Sequence, residues 1–274
     1  MKIKTLYKSL TGVLMLAVFL LGTTFNFESK ADEETSYTPT TLITGANRGI
    51  GLEFTIQYLE MGWNVIATAR KPGKADQLID LKEKYPDHLT IQQLDVTDHE
   101  RIDELALELK SVPIDLLLNN AGISGGSSNQ LFGNMDYDIY ESVLLVNTIG
   151  PLKMAEAFYP HVKNSELKKI VSVSSSEGSI GTAFKRGGGR LFFYRSSKTA
   201  LNMVMVNLAL QLKSRGIAVG MVNPGLTDTD FVSDMPFPMR SAELAVSDMI
   251  RNIETISLDN TAAYINYNGK PVPW

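Results

Sequence analysis

In the run Tyr194-Arg195-Ser196-Ser197-Lys198, a phenol and an ammonium stand four residues apart. On a helix that spacing puts both on one face, where they can converge on a single point. A free phenol is a poor proton donor or acceptor at neutral pH, because its ordinary pKa is about 10. A cation held roughly 4 Å away, at an effective dielectric near 20, contributes about 4 kcal/mol, or about three pKa units. That shift carries the phenol toward neutrality, where general acid–base catalysis is most effective. The same spacing also arises by chance on solvated helices, so its meaning depends on what surrounds it.

Far upstream lies a glycine-rich turn, Thr44-Gly45-Ala46-Asn47-Arg48-Gly49-Ile50-Gly51. It follows a short strand expected at 40–43 and precedes an amphipathic helix expected at 50–61. Backbone amides and a helix amino terminus in such a turn can cradle a pyrophosphate. Arg48 lies inside the turn and Arg70 directly follows the second strand, expected at 63–69. An acidic residue at the second position would suit an unmodified ribose. An arginine suits a 2′-phosphate, which favours NADP(H) over NAD(H).

The rest of the chain alternates strand and helix signals. Strands are expected at 89–94, 114–118, 169–173, 217–222 and 263–267. Helices are expected at 74–84, 99–110, 136–159 (broken by Pro151), 194–215 and 241–257. Repeated β-α-β units predict a single α/β domain at 40–274, a doubly wound Rossmann-type parallel sheet of about seven strands. Two stretches escape the alternation. Residues 181–190, with Lys185-Arg186-Gly187-Gly188-Gly189-Arg190, read as a flexible basic loop, and 227–239 read as irregular. Both follow strands at the edge where such sheets bind ligands, so both are candidate pocket walls, though either could be an ordinary surface loop.

Composition narrows the classes of function. The chain has 274 residues, a net charge of -4 and no cysteine. Disulfides, thiolate metal sites and cysteine nucleophiles are therefore excluded, and mild acidity gives no support to nucleic-acid binding. The three histidines, His88, His99 and His161, are scattered and read as structural or solvated, so no metal site is expected. Lys2, Lys4 and Lys8 precede an apolar run at 10–25. Residues 1–31 thus read as a cleaved signal peptide or an uncleaved membrane anchor, followed by a polar linker at 32–39. Either reading places the domain outside the cytosol. The lack of any Asn-x-Ser/Thr acceptor favours a bacterial periplasm or medium.

Taken together, these motifs resemble the short-chain dehydrogenase/reductase family over residues 40–274. The matching pieces are Thr44-Gly-x-x-x-Gly-Ile-Gly51, Asp95-Val96, Asn119-Asn120-Ala121-Gly122, Asn147, Ser174-Ser175 with Gly178, Tyr194-x-x-x-Lys198, and Pro224-Gly225 with Thr229. Within the family the chain is most similar to C-factor-like and sniffer-like carbonyl reductases, on Tyr194-Arg-Ser-Ser-Lys198 and the closing Tyr267-Asn-Gly-Lys-Pro-Val-Pro-Trp274. The resemblance implies an NADPH-dependent oxidoreductase acting on a small carbonyl or alcohol. Tyr194 would protonate the carbonyl oxygen, and Lys198 would tune the phenol and hold the nicotinamide ribose. Ser175, three residues before Gly178, would bind the substrate oxygen, and Asn147 would hold a relay water. Asn147 also reads as a structural asparagine at a kink near Pro151. Asp95 and Val96 would flank adenine, Asn120, Ala121 and Gly122 would pass the adenosine ribose, and Pro224, Gly225 and Thr229 would border nicotinamide. One departure stands out: the Ser175–Tyr194 spacing exceeds the family's usual one, and the excess coincides with the glycine-arginine stretch, whose arginines could meet an anionic substrate group. A sensor or signalling protein of the same fold, binding nucleotide with little chemistry, is the competing reading. The apolar helix after Lys198 predicts a homodimer or homotetramer.

Overall fold

The computed structural model describes residues 37–187, 189–228 and 238–274. The leader at 1–31, all but the end of the linker, Thr229 and most of the irregular 227–239 stretch lie outside the described residues.

Seven strands form one parallel sheet: β1 (Thr40–Ile43), β2 (Asn64–Ala69), β3 (Leu89–Gln93), β4 (Leu116–Asn119), β5 (Lys169–Val173), β6 (Ala218–Asn223) and β7 (Ala263–Asn266). Their spatial order is β3-β2-β1-β4-β5-β6-β7. The wholly apolar run at 116–118 becomes a strand because both its faces are covered, and every residue of β1 and β4 is buried. The strand order reverses between β1 and β4, where Thr41 pairs with Leu116. In open α/β sheets that crevice, at the carboxyl ends of the strands, is where ligands bind.

Nine helices among the described residues cover the sheet: α1 (Gly49–Glu60), α2 (Asp76–Lys84), α3 (His99–Glu108), α4 (Tyr137–Leu144), α5 (Gly150–Ala157), α6 (Tyr159–Lys163), α7 (Ile180–Arg186), α8 (Phe192–Leu212) and α9 (Ala242–Thr255). One apolar layer joins Phe54, Tyr58 and Leu59 of α1 to Val246, Met249 and Ile253 of α9. The opposite layer joins Ile102 and Leu105 of α3, Met154 of α5 and Leu201 and Met205 of α8. Side-chain caps fix several helix starts. Asp98 accepts from Arg101 N, Asp136 from Ile139 N and Ser241 from Leu244 N, each cap worth about 1 kcal/mol.

Two sequence expectations change, and one element is new. The helix expected over 136–159, broken by Pro151, runs over 137–157 with the break placed earlier, as a wide π turn over Leu145–Ile149 between α4 and α5, and α6 follows separately. The physical cause is Pro151, which has no N–H to offer the carbonyl four residues back, that of Asn147. The stretch at 181–190 is not a loop throughout. Ser179 accepts from Thr182 N at 2.9 Å to start α7, and Gly187, at φ +67°, ends it. A small hairpin, Gln130–Leu131 against Asn134–Met135, was too short to show as alternation. His161 is buried, with a ring nitrogen 3.0 Å from the Ala106 carbonyl, a structural role.

Candidate active site

The turn after β1 is held by its own strand ends. Thr44 Oγ1 accepts from Asn120 N and Ala121 N, both at 3.0 Å. The Asn120 amide donates back to the Thr44 carbonyl at 2.9 Å and to the Gly45 carbonyl at 3.2 Å. Gly45 adopts φ +66° with its α-carbon face against Ala121, a conformation costly for any other residue. A methyl on Gly51 would lie 2.2 Å from the Gly45 carbonyl oxygen, so the first turn of α1 approaches this loop as only glycine allows. Arg48 at the N-cap supplies no side-chain acceptor and the first turn of α1 carries no acid. The amino end of α1 therefore keeps donors and dipole for an anion. These features fit the pyrophosphate of a dinucleotide.

Across the crevice, Gly122 joins the cradle to the catalytic candidates. A methyl there would stand 3.4 Å from Asn147 Oδ1 and 3.7 Å from Lys198 Nζ. Asn147 is fully buried in the π turn. Its amide donates to the Ile123 carbonyl at 2.8 Å and to Ser197 Oγ at 3.0 Å, and its Oδ1 accepts from Ile123 N at 2.9 Å. The side chain is thus a strut between the end of β4 and α8. Lys198 is 4% exposed and donates to the Val173 carbonyl at 2.8 Å. Gly178 lets the turn after β5 lie on α8, since a methyl there would sit 2.8 Å from Lys198 Cβ.

The Ser175 hydroxyl is the neighbour that draws the Tyr194 phenol toward lower pKa. Ser175 Oγ also accepts from Glu177 N at 3.2 Å, and Glu177 is paired with Arg195 at 2.5 Å and Arg186 at 2.8 Å. The tuning expected of the lysine is not what the protein groups produce. Burial pushes the Tyr194 phenol up to about 12, and the Ser175 hydrogen bond pulls it only part of the way back. Burial likewise lowers Lys198 to about 8. The ammonium lies 5.9 Å from the centre of the Tyr194 ring, and desolvation outweighs attraction at that separation. At neutral pH the phenol is therefore a full proton reservoir.

The family model described as short chain dehydrogenase matches residues 39–236. The chain belongs to the short-chain dehydrogenase family. An NADPH-bound carbonyl reductase from chicken fatty liver superposes with a TM-score of 0.79 at 31% identity, covering 86% of this chain and 99% of that one. The carbonyl reductase Sniffer of D. melanogaster gives 0.78 at 25% identity, covering 87% and 100%. The C-signal protein of Myxococcus xanthus is 32% identical over 162 residues, 59% of this chain and 93% of that relative.

The short-chain dehydrogenase residues named from sequence fall into connected groups. Gly45, Gly49, Gly51, Asn120 and Ala121 form the cradle, with Asn47 partly buried beside it and Ile50 packed on the core. Arg48 and Arg70 are both exposed. Asp95 accepts from Thr97 N at 3.0 Å, and the Val96 carbonyl would lie 2.9 Å from a methyl on Gly150. Pro224 is buried, and Gly225, at φ +76°, lies against Tyr267. Sequence reasoning missed Glu177, Ser197, Asn202 and Tyr264. Glu177 alone left a trace, as an acid between two serines and a glycine close to paired arginines.

Proposed function

We propose that this short-chain dehydrogenase is an NADP(H)-dependent carbonyl reductase, able also to run in the direction of alcohol oxidation. The observation that carries the reading is buried Lys198 beside Tyr194 on one wall, 5.9 Å from ammonium to ring centre, with the glycine cradle joined to that wall through Gly122. The dinucleotide, when bound, supplies the hydride. Gly45, Asn47, Gly49, Ile50 and Gly51 hold its phosphates, with Arg48 and Arg70 at the 2′-phosphate. Asp95, Val96, Asn120, Ala121 and Gly122 line the adenosine half, and Pro224, Gly225 and Thr229 the nicotinamide half.

Ser175 orients the substrate carbonyl oxygen, and Tyr194 gives that oxygen its proton as the carbonyl carbon is reduced. Even raised by burial, the phenol stays far more acidic than an alcohol hydroxyl, so delivery to an alkoxide runs downhill. Lys198 then returns a proton toward the phenolate. Asn147 has committed its side chain to Ile123 and Ser197. A relay water would therefore rest on its main-chain carbonyl, whose helical donor Pro151 cannot supply. The test is an NADPH-oxidation assay of the leaderless protein with a panel of aldehydes and ketones. Turnover with NADPH, weaker with NADH, is expected. Replacing Arg70 by Ala should erase about ten-fold of that preference. Silence across the panel, with nucleotide bound, favours the second reading.

That second reading, nucleotide-binding signalling with little chemistry, draws on the relative named C-signal and on the scarcity of nicotinamide cofactors outside a cell. The linked Ser175, Tyr194 and Lys198 weigh against it, since binding alone needs neither an acid nor its neighbour. Association into a homodimer or homotetramer is part of the proposal. Leu145, Ile149 and Leu152 on the α4–α5 side, and Met203 and Leu210 on α8, are exposed. A single-subunit mass by light scattering at micromolar concentration would overturn it. Export or membrane attachment through residues 10–25 is proposed on sequence alone, with fractionation of the native cell as its check. Among the described residues no helix is long and apolar enough to cross a membrane.

A further inference from the structure

The closing segment of the chain runs back to the catalytic wall. Val272 N donates to the Tyr264 carbonyl at 2.8 Å, and Gly181 N donates to the Trp274 main-chain oxygen at 2.7 Å. The Trp274 ring lies 5.5 Å from that of Tyr264, tilted by 38°. Held in this way, the Tyr264 hydroxyl donates to the main-chain carbonyl of Ser175. The same carbonyl accepts from Gly178 N at 2.8 Å. Beneath it Ser174 Oγ donates to Asn202 Oδ1 at 2.6 Å, and the Asn202 amide donates to the Gly178 carbonyl at 3.3 Å.

We infer that Tyr264 is a positioning residue for the reaction, fixing the Ser175 peptide and through it the Ser175–Tyr194 pair. A carbonyl oxygen has two acceptor sites, and here one donor fills each, which sets the plane of the peptide that carries the serine. Tyr264 is 4% exposed, and a phenylalanine would fill the same volume without the cost of burying a hydroxyl. The hydroxyl therefore has a directional task. Its target is one residue's carbonyl in the catalytic wall, reached from the last strand of the sheet.

The inference rests on the carbonyl-reductase reading, and the experiment separates the two. Tyr264→Phe is compared with the parent on the best substrate of the aldehyde and ketone panel. The expected result is a fall in kcat of about ten- to a hundred-fold, with KM for the carbonyl and NADPH affinity within two-fold. Amide exchange at Gly178 in the cofactor-free variant should quicken about ten-fold, while its thermal midpoint moves little. In a Ser175→Ala background, adding Tyr264→Phe should cost almost nothing more, since both act through one group. Unchanged kcat in Tyr264→Phe, or losses that multiply in the double variant, would overturn the inference. So would a lowered thermal midpoint with unchanged turnover per folded molecule. Full turnover in Tyr194→Phe would instead remove the reading of the site on which it stands.

Discussion

The cradle between β1 and α1 and the wall of Ser175, Tyr194 and Lys198 meet at Gly122, yet they are built from different material. The cradle is backbone: glycines at Gly45, Gly49 and Gly51, with main-chain amides tied by Thr44 and carbonyls tied by Asn120. Its demands fall on residue type at fixed offsets, because only glycine tolerates the close approach of α1 to the turn. The wall is side chain. Its members come from β5, α8 and the end of the chain, and each is fixed by partners that are distant in sequence, such as Ser175 by Tyr264 and Lys198 by Val173. A site made of backbone fails by steric intrusion, whereas one made of side chains fails by losing a single atom.

The largest effect should come from the wall. Tyr194→Phe should lower kcat by about a thousand-fold while NADPH titration stays within two-fold. Weakened nucleotide binding of the same size as the kinetic loss would erase the division between the two regions. Next comes the cradle. Gly51→Ala should cost about 3 kcal/mol, read as a lower urea midpoint, and weaken NADPH at least ten-fold. If the variant bound nucleotide normally, the contact would be softer than a 2.2 Å approach allows.

The smallest effect sharpens the electrostatic difference. Lys198 is lowered by burial from 10.5 to about 8 in the folded chain. Between those values the unfolded chain holds a proton that the folded chain has released, so stability rises with pH across that window. From pH 8 to 10 the gain should reach about 2 kcal/mol, and it should vanish in Lys198→Met. Above pH 10 raised tyrosines, Tyr194 among them, turn the curve downward. Parallel curves for the two proteins would show that the ammonium is hydrated in the fold.

The cradle was legible residue by residue because glycine spacing encodes backbone shape directly. The strands were legible too, since a run such as 116–118 is apolar on both faces only when a sheet is covered twice. Tyr194, Lys198 and Ser175 could be named, but not the balance of forces upon them. A spacing of four fixes a shared face, while burial depends on everything packed around it, and burial set the direction for both groups. Helix α7 was hidden by its own composition: glycines and basic residues near its end suggested a loop, although Ser179 and Gly187 are the residues that start and stop a helix. Glu177 left only a faint trace and Tyr264 none, because their partners in the site lie on other elements.

The reach of the last strand and its tail back to Ser175 has a consequence for how the protein comes into being. A ribosome delivers the chain from its amino end, so the nucleotide cradle is complete once Gly122 has emerged, about 150 residues before Trp274. At roughly 5–20 residues per second, that leaves on the order of ten seconds or more in which the glycine turn can be whole while the Ser175 carbonyl still lacks the Tyr264 hydroxyl. The Ser175 peptide therefore gains its second donor long after the glycine turn has formed.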